Sequence, residues 1–367
     1  MDHKARQQSL RETLSAHRLD ALLVTHLPNV RYLCGFSGSA GVLLVTGARS
    51  VFFTDGRYTD QARAEVQAAR IVITRKGPLA AAAVWLSQHL KPGRGASASR
   101  VKIGIEGEHL TVAARSRLTG VLPPSIRLGE APPLVEQARM VKDEQEIESI
   151  RSAVLLGASL FDRALETIRP GVLETEVAAE MEYAARTAGA QAMSFDTIIA
   201  SGERSALPHG RASRTAIPVQ GFVVCDFGVI LSGYCSDMTR TVHVGRASAE
   251  GRRVYQAVKQ AQQAGVDAVR PGISVGEVDQ AARKSLQKSG LAKYFTHSAG
   301  HGVGLEIHEA PRLAAGQSEI LQPGMVITIE PGVYIPDKWG VRIEDMVVVT
   351  EQGCEILTPT SKELVEI

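Results

Sequence analysis

Four carboxylates and one histidine in the second half of the chain are of the types that hold metal ions: Asp226, Asp237, His301, Glu330 and Glu344. Each lies in a segment that reads as strand or Gly-rich turn. The acids fall into two pairs, within VVCDFGVILSGYCSD and ITIEPGVYIPDKWGVRIE. An acid in an apolar strand is costly unless it is paired or ligating. In an antiparallel hairpin, facing residues have a constant sum of residue numbers. Asp226 and Asp237 then centre on Leu231–Ser232, and Glu330 and Glu344 on Asp337, both in turn-like sequence. Two like charges held across a hairpin repel, and a cation between them removes the repulsion. The plain alternative, an edge carboxylate on each hairpin, has to hold twice. Four carboxylates with one imidazole suit a hard, oxygen-preferring dinuclear site better than a structural zinc site.

A third segment, HSAGHGVGLEIHEAP, carries His297, His301 and His308. Gly300, Gly302 and Gly304 argue against a helix and for backbone packed close to something else. A lone histidine is most often a satisfied polar residue. Three around a Gly-rich turn, beside two acidic hairpins, read as ligands or proton-transfer groups. The helical zinc-protease motif HExxH is absent.

The elements that must position these residues follow from the rest of the chain. A length of 367 residues suits two domains, and 44% hydrophobic with 22% charged residues is an ordinary globular composition. A net charge of +2 without basic runs gives no case for nucleic acid. No apolar stretch is long enough to cross a bilayer, and the N-terminus lacks an apolar signal core. The four cysteines show no C-x-x-C spacing and read as reduced thiols, so a cytoplasmic location is expected, with no membrane partner. Cys225 should face away from the side that Asp226 faces.

Residues 1–132 read as an α/β domain with a mixed sheet. The pattern predicts a helix over 8–19, strands over 20–25, 41–46 and 50–54, and a turn-rich stretch from Asn29. A helix is entered from Asp55, a Gly-, Ser- and Arg-rich stretch covers 93–100, and a short strand follows at 102–106. The proline-rich 122–134 reads as the approach to a boundary. In 133–367, Glu136 to Thr167 reads as one long helical region. Beyond it, IRPGVLETEV at 168–177 recurs as VRPGISVGEV at 269–278, an offset of 101. Each copy precedes an amphipathic helix, a Gly-containing turn, a histidine segment and an acidic hairpin. His209, in SALPHG, is the rough counterpart of the 301–308 segment. A duplicated α+β half implies a pseudo-twofold axis, with the ligand site where the halves meet.

The five residues, in type, order and context, together with the histidine segment, resemble the pita-bread metallopeptidases: aminopeptidase P, prolidase and methionine aminopeptidase. NVRYLCGFSGS and FFTDGRY resemble the N-terminal domain shared by aminopeptidase P, prolidase and creatinase. Methionine aminopeptidases lack that domain, and creatinases lack the five ligands, which leaves the Xaa-Pro peptidase branch. Ala299 departs from the family's larger aliphatic or Thr at that position, and a packing change is expected there.

The resemblance implies an α+β pita-bread fold with internal duplication behind a smaller creatinase/prolidase-type domain. It implies two divalent ions, Mn2+ or Co2+ with Zn2+ or Fe2+ admissible, and a water made nucleophilic between them. Asp226 would chelate one ion, Asp237 and Glu344 would bridge both, and His301 and Glu330 would complete the second. Glu330 would also take the water's proton, His308 would stabilise the developing oxyanion, and His209 and His297 would contact substrate. Arg342, two residues before Glu344, would pair with a ligand carboxylate or serve as a structural salt bridge. The expected substrate is a peptide with proline in second position, cut as a dipeptide or as a longer chain. A homodimer is expected, with the N-terminal domain bordering the cleft and limiting substrate length.

Overall fold

A computed structural model describes residues 1–90 and 100–367. The stretch read at 93–100 therefore lies, but for Arg100, outside the described residues. The chain divides into two units, Met1–Arg139 and Met140–Ile367.

In the first unit, six strands among the described residues form one mixed sheet. They are β1 (Ala21–Val24), β2 (Val42–Thr46), β3 (Ser50–Asp55), β4 (Arg70–Thr74), β5 (Val101–Glu106) and β6 (Ile126–Ala131), in the order β4-β3-β2-β1-β5-β6. β2 pairs antiparallel with β1 and β3, and the other three pairings are parallel. The apolar runs of β1 and β2 are buried throughout, as strands covered on both faces must be. The helices are α1 (His3–Ala16), α2 (Leu27–Cys34), α3 (Thr59–Glu65), α4 (Pro78–His89), α5 (Val112–Val121) and α6 (Leu134–Met140), the last reaching the division between the units.

Two expectations need correction here. The stretch from Asn29 begins in a helix, α2, because Pro28 opens its first turn and Gly35, at φ 85°, closes it in the left-handed region. The turn-rich part starts only beyond Gly35. The stretch 122–134 contains strand β6, which extends the sheet beside β5 despite its flanking prolines.

The second unit opens with a further correction. Glu136 to Thr167 is not one helix: α6 stops at Met140, and α7 (Glu144–Thr167) starts afresh. Asp143 accepts from the Glu146 N–H at 2.9 Å, and Glu146 accepts from the Asp143 N–H at 3.0 Å, a reciprocal cap that begins a helix. Between the helices, Lys142 N–H donates to the Gly324 carbonyl. The chain leaves the helix there to pair with a strand segment.

Helix α8 (Glu174–Thr187) follows, then β7 (Ala192–Met193), β8 (Ile198–Ser201), β9 (Gly221–Phe227), β10 (Val229–Leu231), β11 (Tyr234–Cys235) and β12 (Met238–Val244). Next come α9 (Ala249–Ala268), α10 (Val275–Lys288), β13 (Gly300–Gly302), β14 (Glu309–Leu313), β15 (Val326–Ile329), β16 (Gly332–Ile335), β17 (Trp339–Arg342), β18 (Asp345–Val349) and β19 (Cys354–Ile356). The sheets run β11-β10-β7, β12-β9-β8, β14-β13-β15-β18-β19 and β16-β17.

The duplication is visible in backbone detail. Gly171 and Gly272, the glycines of the two RPG copies, both sit at φ 86°, a conformation that L side chains resist. Leu173 bridges Ala216, and Ser274 bridges Ile320. A long helix and a shorter one flank each copy, α7 and α8 in the first and α9 and α10 in the second.

Candidate metal centre

The first acidic hairpin differs in register from the sequence expectation. β9 pairs with β12 so that Asp226 faces Thr239, and β10 pairs with β11 as Leu231 with Tyr234. The turn therefore centres on Ser232–Gly233, which hold φ of 50° and 79°. Tight hairpin turns of this hand need two positive φ values, and Gly233 supplies the second without strain. A shift of two residues leaves every side chain on its original face. Asp237 still turns inward, past Gly228, where any Cβ would lie 1.8 Å from the Ser236 carbonyl oxygen.

The second hairpin has the expected register. Gly332 faces Arg342, and Ile329 faces Asp345, so the same constant sum runs through both ladders. Between them the strands part at the two glutamates. Glu330 N–H donates to Ala299 at 2.8 Å and Glu344 N–H to Thr239 at 3.1 Å. The hairpin thus opens where its acids stand, with Glu330 tied to the residue before β13 and Glu344 to β12. Ala299, flagged as a departure, is fully buried in the apolar cluster of Phe295 and Val333.

His301 sits on β13 between two glycines that cannot carry side chains. A Cβ on Gly300 would meet the Thr328 carbonyl oxygen at 1.9 Å, and one on Gly302 the Ala310 oxygen at 2.3 Å. With Nδ1 donating to the Gly302 carbonyl at 3.0 Å, Nε2 keeps its lone pair. That nitrogen lies 3.6 Å from both Asp237 Oδ2 and Glu330 Oε1. Ligand atoms of Asp237, His301 and Glu344 lie within 4.8 Å of one another.

The electrostatics are those of a cluster that wants a cation. Burial, then Glu344, Asp226 and Glu330, raise the Asp237 carboxyl well above its ordinary range. Glu344 is raised for the same reasons, burial first and then Glu330 and Asp226. Burial pushes Glu330 up to about 8 and His301 down to about 4. Asp226 gives one oxygen to the Arg342 guanidinium, while its Oδ1 is buried with no hydrogen-bond partner. A buried carboxylate oxygen left bare is expensive. Together with the carboxylate-rich donor set, it fits a divalent cation at this place.

The remaining candidates line the same cavity, of about 830 Å3, within the second unit. His308 is exposed on the cavity wall, its ring edge-on to His301 at 4.4 Å, and its pKa is lowered chiefly by desolvation. His297 Nε2 is 2.9 Å from the Tyr334 hydroxyl, and Nδ1 lies 3.9 Å from Glu330. Burial, then Arg342, lowers His297 to about 4. His209 lies on the wall with an exposed side chain. Arg342 donates to Asp226, to the Tyr334 hydroxyl and to the Pro208 carbonyl. Cys225 is fully buried in the core on the opposite face of β9.

Two residues that the sequence reading passed over belong to this network. Thr239 Oγ1 donates to Glu344 at 2.7 Å and accepts from Arg342 Nε at 3.1 Å. Tyr334 links His297 to Arg342. Both carried a signal in strand alternation: Thr239 lies two residues beyond Asp237, and Tyr334 lies two beyond Gly332, the residue facing Arg342.

Comparison with known proteins gives the same picture for both units. The profile of metallopeptidase family M24 matches residues 148–351, and that of the Creatinase/Prolidase N-terminal domain matches residues 6–141. An uncharacterized peptidase of Bacillus subtilis is 39% identical, covering 98% of this chain and 99% of its own. An Xaa-Pro dipeptidase of Pyrococcus horikoshii is 36% identical over 96% of this chain and 97% of its own. The solved Xaa-Pro dipeptidase of Bacillus anthracis superposes with a TM-score of 0.94 at 38% identity, over the full length of both chains.

Proposed function

The chain belongs to metallopeptidase family M24, and we propose that it hydrolyses Xaa-Pro dipeptides, releasing the N-terminal residue and proline. The observation that carries the reading is the cluster of Asp226, Asp237, His301, Glu330 and Glu344 on one cavity, with an unsatisfied carboxylate oxygen among them. Two divalent ions held by these residues, Mn2+ or Co2+ as the family resemblance implies, with Zn2+ or Fe2+ admitted by the ligand types, would polarise the scissile carbonyl and make water nucleophilic near neutral pH. The relatives named Xaa-Pro dipeptidase support the substrate class.

The chain's own side chains take the remaining work in this reading. Glu330 orients the attacking water and receives its proton on a carboxylate oxygen. His308, neutral through desolvation, donates to the oxygen that turns negative; such donors contribute about 10²–10³-fold. His209 and His297 flank the bond and align it, His297 held by Tyr334. Arg342 holds Asp226 and steadies Tyr334. The Xaa-Pro amide is tertiary and has no N–H, so a site that grips only the carbonyl and the amino terminus tolerates it.

Arg211 and Arg312 also line the cavity. Arg211 pairs with Asp196 at 3.0 Å, and a cation in the cavity suits the C-terminal carboxylate of a dipeptide, which a longer peptide carries farther away. This supports dipeptides over extended chains. Rates on Ala-Pro, Ala-Pro-Ala and Ala-Ala decide the matter. The reading expects Ala-Pro to be cut fastest and Ala-Ala poorly. Faster cleavage of Ala-Pro-Ala would make the chain an aminopeptidase, and cleavage of Ala-Ala alone would end the proline assignment.

A further inference from the structure

We propose that Asp279 and Arg283, neither of which lines the cavity, are positioning residues for His297. This deepens the peptidase reading, on which the part given to His297 rests. Both stand on α10, four residues apart and so on one face. The Arg283 guanidinium grips Asp279 with two bonds, Nε to Oδ2 at 2.7 Å and Nη2 to Oδ1 at 3.0 Å. The same fork reaches backbone. Nη1 donates to the Phe295 carbonyl at 3.0 Å, and Nη2 donates to the His297 carbonyl. Asp279 Oδ1 accepts in turn from the Ala299 N–H at 3.1 Å. The pair thus holds the chain on both sides of Ser298, and His297 and Ser298 are on the cavity wall.

The segment needs such a hold. Residues 295–299 lie between a single 3-10 turn, Ala292–Tyr294, and β13, so no helix or strand ladder fixes them. A planar fork that meets a carboxylate and two carbonyls at once is a rigid clamp, which a flexible ammonium cannot match. The Phe295 ring lies 4.2 Å from the guanidinium and stands edge-on to the His297 ring at 5.1 Å, so it passes the placement on to the imidazole. The frame alone does not require the pair. Asp279 is fully buried, and buried ion pairs add little net stability because desolvation offsets their attraction. The duplication supplies an internal comparison. With the offset of 101, α8 has Ala178 and Glu182 at the equivalent positions, Ala178 buried and Glu182 exposed, and that half folds without the pair. The pair belongs to the half that carries His297, His301 and His308.

The test compares wild type with Asp279→Ala/Arg283→Ala, which removes both charges together and leaves no unpaired buried ion. Ala299 N–H keeps its bond to the Leu313 carbonyl in that variant, so it should fold, which thermal unfolding checks. With carbon-13-labelled histidine in metal-free protein, the His297 ring resonance is assigned by its loss in His297→Ala. It should move in the pair variant, and by more than those of His209 and His308. In Mn2+-saturated protein, kcat for Ala-Pro should fall about tenfold to a hundredfold. Added to His297→Ala, the same change should cost less than about twofold, because its target is already gone. Arg283→Lys, which keeps the charge and loses the fork, should show both effects to a smaller degree. An unmoved His297 resonance, or an equal loss of kcat with and without His297, would overturn the proposal. A His297→Ala protein too slow to assay leaves the resonance to decide. Wild type that leaves Ala-Pro uncut would instead fail the peptidase reading, and the resonance would still decide what places His297.

Discussion

The cost of the metal centre is concentrated in a few side chains. Asp237 and Glu344 are buried and Glu330 is largely so, and each is raised by desolvation and by neighbouring carboxylates, so in the metal-free protein each holds its proton above the ordinary range. A carboxyl raised on folding contributes stability below its unfolded pKa and loses it as pH rises through the folded value. For Glu330 that window runs from about 4.5 to about 8. Metal-free protein should therefore lose stability across this range, and metal uptake near pH 7 should release protons. Calorimetry in buffers of different ionisation enthalpy measures the release; none at pH 7 would mean that the carboxylates are already ionised. A mutational contrast belongs to the same scale. Glu330→Gln and His301→Ala should abolish turnover of an Xaa-Pro dipeptide. Cys225→Ser should leave turnover per folded molecule near wild type while costing ~1–3 kcal/mol of stability, since a hydroxyl would replace a fully buried thiol. Comparable turnover losses in all three would mean that Cys225 does not lie behind the site.

At the scale of elements, the site depends on strands packed closer than side chains allow. Gly300→Ala would drive a methyl into the Thr328 carbonyl and push β13, with His301, off β15. Its expected result is loss of activity together with destabilisation of more than about 2 kcal/mol, read by denaturant unfolding. An active, stable Gly300→Ala protein would contradict the described packing. Gly-x-Gly around a histidine was a legible signal, because few other patterns bring backbone that close. The second hairpin was equally legible, since its odd-membered loop puts Asp337, at φ 59°, at the centre of symmetry. The first was not read to the residue, because ILSG admits two turn centres. Only the positive φ values at Ser232 and Gly233 select one. The break at Val141–Asp143 was missed because helical spacing continues across it, although D-x-x-E at 143–146 is a helix start in its own right. Strand β6 was hidden by the prolines around it. Tyr334 and Thr239 were overlooked because a hydroxyl in a strand looks ordinary until its partners are known.

Within the whole molecule the second unit repeats one α+β half, and the acids of its two hairpins differ in chemistry while sharing architecture. A pair of aspartates stands in the first and a pair of glutamates in the second, and neither pair has a satisfactory environment alone. Ions that bind only the folded state stabilise it by mass action, about 4 kcal/mol at a thousandfold excess over Kd. The measurement that tests the account most directly is turnover of Ala-Pro by metal-stripped protein titrated with Mn2+. The account predicts no hydrolysis in stripped protein, and activity that rises with added metal to a plateau at two ions bound by the acidic hairpins. Unchanged hydrolysis without metal, or a full complement of bound ions with no release of proline, would contradict it.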